Sequence, residues 1–223
     1  MDKKFKINLI FLGAFSLLSI IFTVLLSCVD VRSSINNDSL GFASINEKVF
    51  YAIGESKLWY YITQAIGYLA ILVVICFAVV GVIQLVQRKS LKKVDKEILG
   101  LAVVYVLIAI IYVFFEKVVV VNYRPVLEDG EVAASFPSSH TLLACVVFST
   151  ALLEAKKLIK INFIHNNIIF VIEFLVILMI GGRLLSGVHW LSDIIASVLY
   201  SGVIVSGYYL VMNYLDKKET LEK

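Results

Sequence analysis

The residues of this chain that are best suited to chemistry lie in three short segments. Two of the three histidines and both prolines of the 223-residue sequence fall within them. The segments are Lys117, six residues and Arg124-Pro125; then Pro137-Ser138-Ser139-His140; then Arg183, five residues, His189, three residues and Asp193. A phosphate ester can be attacked when the negative charge on its oxygens is stabilised, and cations supply that stabilisation. Imidazoles and a carboxylate beside them are suited to the attack itself.

Three basic side chains are candidates for binding that phosphate. Lys117, Arg124 and Arg183 supply fixed positive charge, and the planar guanidinium fork matches phosphate oxygens. Ser138 and Ser139 stand at the predicted start of a helix, where backbone N–H groups point toward an anion. The sequence therefore predicts a cationic phosphate pocket.

His189 and Asp193 are four residues apart, so one helical turn would put them on the same face. The carboxylate would then accept the imidazole Nδ1 proton and leave Nε2 free as a nucleophile. A zinc or magnesium site is the natural alternative for such a pair, but zinc sites use several His or Cys ligands and hard cations use several carboxylates. No metal or other cofactor is predicted, and activity that a chelator abolishes and metal restores would contradict this.

The composition predicts the elements that must position these residues. Hydrophobic residues make up 60% of the chain, charged residues 17%, and the mean hydropathy is +0.92. These values exclude an ordinary water-soluble domain, and a net charge of +3 is too small to indicate nucleic-acid binding. The three cysteines form no Cys-x-x-Cys pair, so neither a disulfide framework nor a zinc site is indicated.

Apolar runs of about 20 residues are long enough to cross a bilayer as helices. The sequence predicts an all-α, polytopic membrane protein, a single domain over residues 1–223 with six transmembrane helices. The predicted spans are about 7–28, 58–87, 98–116, 138–153, 167–186 and 191–215. The first could instead be a lipoprotein signal, but its uncharged run is longer than a cleavable apolar region of about 7–15 residues.

Basic residues cluster on one side of these spans, at residues 3–6, 88–96, 156–160 and 217–223. Since cytoplasmic loops retain Lys and Arg, both termini are predicted to be cytoplasmic. All three chemical segments then lie at outer span ends, which predicts an extracytoplasmic site in a plasma membrane. Between the first two spans, Ile45, Val49, Phe50 and Ile53 share one helical face, which predicts a short helix on the outer surface.

The three segments together resemble the type 2 phosphatidic acid phosphatase superfamily, which includes bacterial membrane lipid phosphatases. The motifs cover residues 117–193. Two positions depart from the usual pattern, since Ser139 stands where the family usually has Gly, and Gly182 where it usually has Ser. Neither position supplies the nucleophile or the acid.

The resemblance implies a phosphohistidine intermediate at His189, with His140 protonating the leaving oxygen. Opposite protonation states of the two histidines predict a bell-shaped pH dependence. The implied substrates are phosphatidic acid, phosphatidylglycerol phosphate or undecaprenyl pyrophosphate. The other predicted partners of the protein are the membrane lipids around it. A lipid-to-acceptor phosphotransferase remains an alternative, as does a transporter or flippase. A transport path usually needs polar groups near the membrane midplane, however, and Glu173 is the one charge deep in a predicted span.

Overall fold

The computed structural model describes residues 3–34, 39–127, 130–158 and 162–221. Within these ranges the chain forms seven α-helices and a two-stranded antiparallel sheet. The elements are α1 Lys3–Cys28, β1 Arg32–Ser33, β2 Ser39–Leu40, α2 Ala43–Ile53, α3 Lys57–Arg88, α4 Lys96–Val113, α5 Ser139–Leu158, α6 Asn162–Leu185 and α7 Leu191–Leu221. A 3-10 turn, Leu91–Lys93, precedes α4, and a π-helical turn, Phe114–Val118, follows it.

The all-α membrane fold predicted from the sequence is confirmed. Five of the described helices, α1, α3, α4, α6 and α7, are long and apolar enough to cross a bilayer. The apolar part of α5 is shorter, at Ser139–Ala155, so six spans remain a prediction. Of the predicted cytoplasmic clusters, residues 159–160 and 222–223 lie outside the described residues.

Large apolar side chains cover the outside of the helices. Ile10 on α1, Val86 on α3 and Ile177 on α6 are 70%, 68% and 69% exposed. A soluble monomer rarely presents contiguous apolar surface on this scale. The helices satisfy their own backbone hydrogen bonds, so this surface suits contact with lipid.

Helix α5 lies at the centre of the bundle and contacts α3, α4, α6 and α7. Its residues Leu142, Ala144 and Val146 are almost completely buried. Since its neighbours cover it, α5 tolerates polar residues that a lipid-facing helix would not. Glu154, just beyond the predicted span, is buried and accepts a hydrogen bond of 2.8 Å from the Tyr208 hydroxyl.

Helix α1 packs along α7. The Phe15 ring lies directly over Gly202, where a Cβ atom would come within 2.5 Å of it. The hydroxyls of Thr23 and Tyr200 are 3.0 Å apart. The first predicted span therefore packs against the last helix of the bundle, and its retention in the membrane stays a prediction.

The predicted helix between the first two spans is present as α2, but its buried face is different. Ala43 and Asn46 are buried, whereas Ile45 is 58% exposed. The cause is a polar contact that periodicity does not reveal, since Asn46 Nδ2 donates to Ser192 Oγ at 2.9 Å and Asn46 Oδ1 accepts from the Ser192 N–H at 3.1 Å.

The last helix continues beyond the predicted end at residue 215, to Leu221. Lys96 at the start of α4 forms ion pairs with Asp216 and Glu219 at 2.6 and 2.7 Å. These charges lie on a part of the helix that continues past the apolar stretch. Hydropathy alone does not predict this part, because its residues are polar.

The chemical segments all lie at one end of the bundle. There α3, α5 and α7 begin, and α4 and α6 end. The Ser56 N–H donates to the Ser186 carbonyl at 3.4 Å, and the Ser138 N–H donates to the Asp193 carbonyl at 3.3 Å. These contacts draw residues distant in sequence into one site.

Candidate active site

A loop between α4 and α5 forms one wall of the site. Residues 122–124 run antiparallel to residues 133–135, with Tyr123 and Ala134 bridged. The Arg124 N–H donates to the Ala133 carbonyl, and the Ser135 N–H to the Asn122 carbonyl, each at 2.9 Å. This pairing directs the Ser135 carbonyl toward the turn that carries His189.

The turn between α6 and α7 carries two of the motif residues. Arg183 lies in the last turn of α6, and its carbonyl accepts from the Ser186 hydroxyl at 2.7 Å. Gly187 has a φ of +72°, a left-handed conformation that is typical just past a helix end. The chain therefore reverses within a few residues, so that His189 faces back toward Arg183.

His189 is 3% exposed and is held at both ring nitrogens. Nδ1 lies 3.0 Å from the Ser135 carbonyl oxygen, and Nε2 lies 3.3 Å from Arg183 Nη2. Since a carbonyl only accepts and a guanidinium only donates, Nδ1 carries the proton and Nε2 presents its lone pair. Burial, then the charges of Arg183, Arg124 and His140, lower the pKa of His189 well below 6.5. The imidazole is therefore neutral at neutral pH.

Asp193 is completely buried, but its hydrogen bonds differ from the predicted one. Its Oδ2 lies 3.7 Å from His189 Nδ1, beyond hydrogen-bond distance. Oδ2 instead accepts from the Trp190 N–H at 3.0 Å, as in one half of a capping box, and Oδ1 accepts from Asn122 Nδ2 at 3.2 Å. The prediction that Asp193 accepts the Nδ1 proton is thus corrected, because the Ser135 carbonyl occupies that position.

Three further predicted residues lie around His189. Arg183 is 1% exposed, and Arg124 is partly buried with its Nε 3.4 Å from the Ala134 carbonyl. The Nδ1 atom of His140 is buried and has no hydrogen-bond partner among the described residues. A buried polar atom of this kind usually has a partner, so His140 is suited to a ligand oxygen.

Lys117 lies apart from this buried cluster. It belongs to the π-helical turn after α4, its side chain is 72% exposed, and its Nζ lies 3.4 Å from Glu116 Oε1. In this structure Lys117 is a rim residue, and its predicted contact with phosphate remains a prediction.

Ser138 and Ser139 stand at the start of α5 as predicted, with different surroundings. Ser138 is completely buried, its N–H is bound to the Asp193 carbonyl, and its own carbonyl accepts from Ser197 Oγ at 3.0 Å. It therefore joins α5 to α7 and has no N–H left for an anion. Ser139 is partly exposed and borders a cavity, and its predicted contact with an anion remains a prediction.

Several contributors to the site could not be found from the motifs. Ser135 acts through a backbone carbonyl, which carries no side-chain signal. Asn122 is completely buried and also accepts from the Gly41 N–H at 3.0 Å. Thr63 and Tyr60 on α3 contact Arg183, with the Tyr60 ring centroid 5.8 Å from the guanidinium carbon.

The conserved pattern of a known family matches residues 97–217, just over half of the chain, and that family is the PAP2 superfamily. The chain belongs to the PAP2 superfamily. All three motif segments lie inside the matched range, whereas α1, α2 and α3 lie outside it. No curated protein matches the chain.

The PAP2 fold is also seen in a solved structure that this chain resembles, the crystal structure of the first transmembrane PAP2 type phosphatidylglycerolphosphate phosphatase, from Bacillus subtilis. The two chains are 17% identical, with a TM-score of 0.59, over 92% of this chain and 96% of the other. At this identity the likeness establishes the fold. The likeness of fold covers the motif region and nearly all of the rest of the multi-pass bundle.

Proposed function

We propose that this PAP2 protein is an integral membrane phosphatase that removes phosphate from a lipid phosphate or lipid pyrophosphate in the outer leaflet of a plasma membrane. The observation that carries the proposal is the pairing of a neutral His189 with Arg183. The Nε2 lone pair faces Nη2 across 3.3 Å, so a phosphoryl group entering here meets a nucleophile and a fixed cation together.

In the first step, His189 Nε2 attacks phosphorus and the bond to the lipid oxygen breaks. His140 gives its proton to that oxygen, which leaves as a lipid alcohol, or as a lipid monophosphate if the substrate is a pyrophosphate. The Ser135 carbonyl holds the Nδ1 proton and stabilises the imidazole as it becomes positive. Arg183 and Arg124 stabilise the charge on the phosphoryl oxygens.

In the second step, water attacks the phosphohistidine. His140, now neutral, takes a proton from the water, and the P–N bond breaks to release inorganic phosphate. Both histidines return to their starting protonation states, so the cycle consumes one water for each phosphate released.

A lipid substrate is supported by the surroundings of Ser139. A cavity of about 440 Å³ between α3, α4 and α5 reaches this residue, which immediately precedes His140. Its lining is mainly apolar: Ile71, Val74, Tyr105, Ile108, Ala109, Tyr112, Pro137, Leu142 and Leu143. A phosphate in the cationic site can therefore remain attached to a chain that lies among apolar side chains. The Bacillus subtilis protein named above is a phosphatidylglycerolphosphate phosphatase, and phosphatidylglycerol phosphate is a lipid phosphate.

The proposal includes catalysis without a metal ion. Fixed cations supply the charge that a metal would otherwise provide, and hard metal sites need several carboxylates. Among the described residues, no group of three or more His, Cys, Asp and Glu side chains is arranged to hold a metal ion.

Phosphate release by the purified protein in detergent tests the proposal. The substrates are phosphatidic acid, phosphatidylglycerol phosphate and undecaprenyl pyrophosphate, each with a chelator present. Wild type should release phosphate from at least one. His189→Ala should lower kcat by about 1,000-fold or more, and His140→Ala by about 100-fold or more, because each removes a group that takes part in bond cleavage.

The third histidine provides a matched control, since His165→Ala removes an imidazole that the motifs do not contain and should leave the rate unchanged. No release from any of the three lipids by folded wild-type protein would refute the proposal. Loss of release with chelator, restored by added metal, would refute the metal-free part alone.

A further inference from the structure

The outer end of α3, which lies outside the matched family region, contacts the site directly. Thr63 is completely buried, and its Oγ1 lies 3.4 Å from Arg183 Nη1. The same hydroxyl donates to the backbone carbonyls of Trp59 and Tyr60, at 2.9 Å each. Because its one proton is used within α3, the oxygen can only accept from Arg183.

Two glycines allow α3 to come this close. A Cβ atom on Gly182 would lie 2.7 Å from Thr63 Cγ2 and 3.1 Å from Trp59 Cε3. A Cβ atom on Gly67 would lie 2.7 Å from His140 Cδ2. Contacts below 3.0 Å force something to move, so each glycine lets a side chain of the neighbouring helix lie directly against its backbone.

The two arms of the Arg183 guanidinium therefore have separate partners. Nη1 faces Thr63, and Nη2 faces the His189 nucleophile. A guanidinium is planar and rigid, so fixing one arm fixes the direction of the other. Burial strengthens this effect, because hydrogen bonds are stronger where water is excluded.

We infer that Thr63 is a positioning residue for catalysis, whose hydroxyl orients Arg183 so that its second arm meets the phosphoryl group beside His189. This inference rests on the proposed function for its substrate. Thr63 acts through Arg183 and does not itself touch the reacting atoms.

Two substitutions at this position separate the hydroxyl from the shape of the side chain. Thr63→Val keeps the branched shape and removes the acceptor, whereas Thr63→Ser keeps the acceptor. The readouts are kcat and KM for the best lipid phosphate, and the binding of orthovanadate, a phosphate mimic, measured by titration calorimetry in detergent. We expect Thr63→Val to weaken vanadate binding and to raise KM, each by about tenfold. A change of this size is expected when one hydrogen bond to a charged group is lost. Thr63→Ser should stay within about twofold of wild type.

Thr150 offers a matched control. It is also a completely buried threonine, and its hydroxyl donates to the carbonyls of Val146 and Val147 at 2.8 and 3.1 Å, as Thr63 does within α3. Thr150→Val therefore removes the same kind of intrahelical bond at a position ten residues, or about 15 Å, along α5 from His140. It should leave vanadate binding and KM unchanged.

The adjacent glycines provide a second test. Gly182→Ala should push Thr63 away and reproduce the loss seen with Thr63→Val. Gly181→Ala should have no effect, since a Cβ atom there would meet nothing within 4 Å.

The outcomes separate the two proposals. Wild-type vanadate affinity in Thr63→Val, or an equal loss in Thr63→Ser and Thr150→Val, overturns the inference and leaves the phosphatase proposal standing. Vanadate binding that depends on the Thr63 hydroxyl, in a protein that cleaves no lipid phosphate, supports the inference and refutes the phosphatase. A wild type that neither binds vanadate nor releases phosphate refutes both.

Discussion

At the scale of single residues, His189 is oriented by a backbone carbonyl and a guanidinium. Ser135 holds the proton on Nδ1, and Arg183 lies beside the lone pair on Nε2. A carbonyl orients the ring as a carboxylate would but adds no negative charge at that contact. This contact therefore favours the protonated imidazole less than a bound carboxylate would, in agreement with the lowered pKa of His189.

The pH dependence of activity follows from these neighbours. Burial and the charges of Arg183, Arg124 and His140 lower the pKa of His189. Since the neutral ring is the proposed nucleophile, a lowered pKa should keep it reactive as the pH falls, and the acid limb of kcat/KM should lie below pH 6.5.

Arg124→Gln tests the electrostatic part of this account. Removing a nearby positive charge should raise the pKa of His189 and move the acid limb of kcat/KM to higher pH, in addition to any change in KM. Arg32→Gln serves as the control, because Arg32 is exposed and paired with Asp30 at 2.7 Å. An acid limb that stays in place in Arg124→Gln would mean that Arg124 does not control this protonation.

At the scale of elements, the α6–α7 turn is held in place by the segment before α3. A Cβ atom on Gly187 would lie 2.9 Å from the Gly54 carbonyl oxygen and 3.0 Å from Glu55 Cα. Both of these are main-chain atoms, which cannot move aside as a flexible side chain can. The tight approach and the left-handed conformation both require glycine here.

Gly187→Ala should lower the stability of the folded protein by about 1–3 kcal/mol, the range for a residue forced into an unfavourable conformation, with more from the clash. Gly130→Ala separates the two causes, because Gly130 has a φ of +84° but open space around it. Thermal unfolding in detergent should show a smaller loss for Gly130→Ala. Equal losses of stability in the two variants would show that the contact between Gly187 and the segment before α3 does not contribute to the loss.

At the scale of the whole molecule, the site is made where five helix ends meet at one end of the bundle. Helix α5 brings His140 into the centre and is surrounded by α3, α4, α6 and α7. Apolar surface faces outward along α1, α3 and α6. A site at the end of such a bundle lies where the headgroup of the proposed lipid substrate would be.

The predicted orientation can be measured by cysteine labelling. After Cys28, Cys76 and Cys145 are replaced by serine, a single cysteine is placed at Lys48 or at Lys92, both of which are exposed. A membrane-impermeant maleimide should label Lys48→Cys in intact cells, and Lys92→Cys only after permeabilisation. The opposite pattern would place the site on the cytoplasmic side and refute action on the outer leaflet.

The sequence by itself determined the class of fold and the family resemblance, and it predicted the approximate spans and the reaction chemistry. Long apolar runs must cross a bilayer as helices, because backbone polar groups cannot remain unpaired in lipid. The rare residues of the three segments carry chemistry in their side chains, so their spacing alone indicated His189, His140, Arg124 and Arg183.

Only the tertiary structure decided which group orients each of those residues. The partner of His189 Nδ1 is the Ser135 carbonyl, and one partner of Arg183 is Thr63, a residue 120 positions away in the chain. Local spacing made Asp193 the natural partner, since a helical turn brings residues four apart together. His189 lies before α7 begins, however, so that spacing does not hold, and packing between distant segments determines the contact.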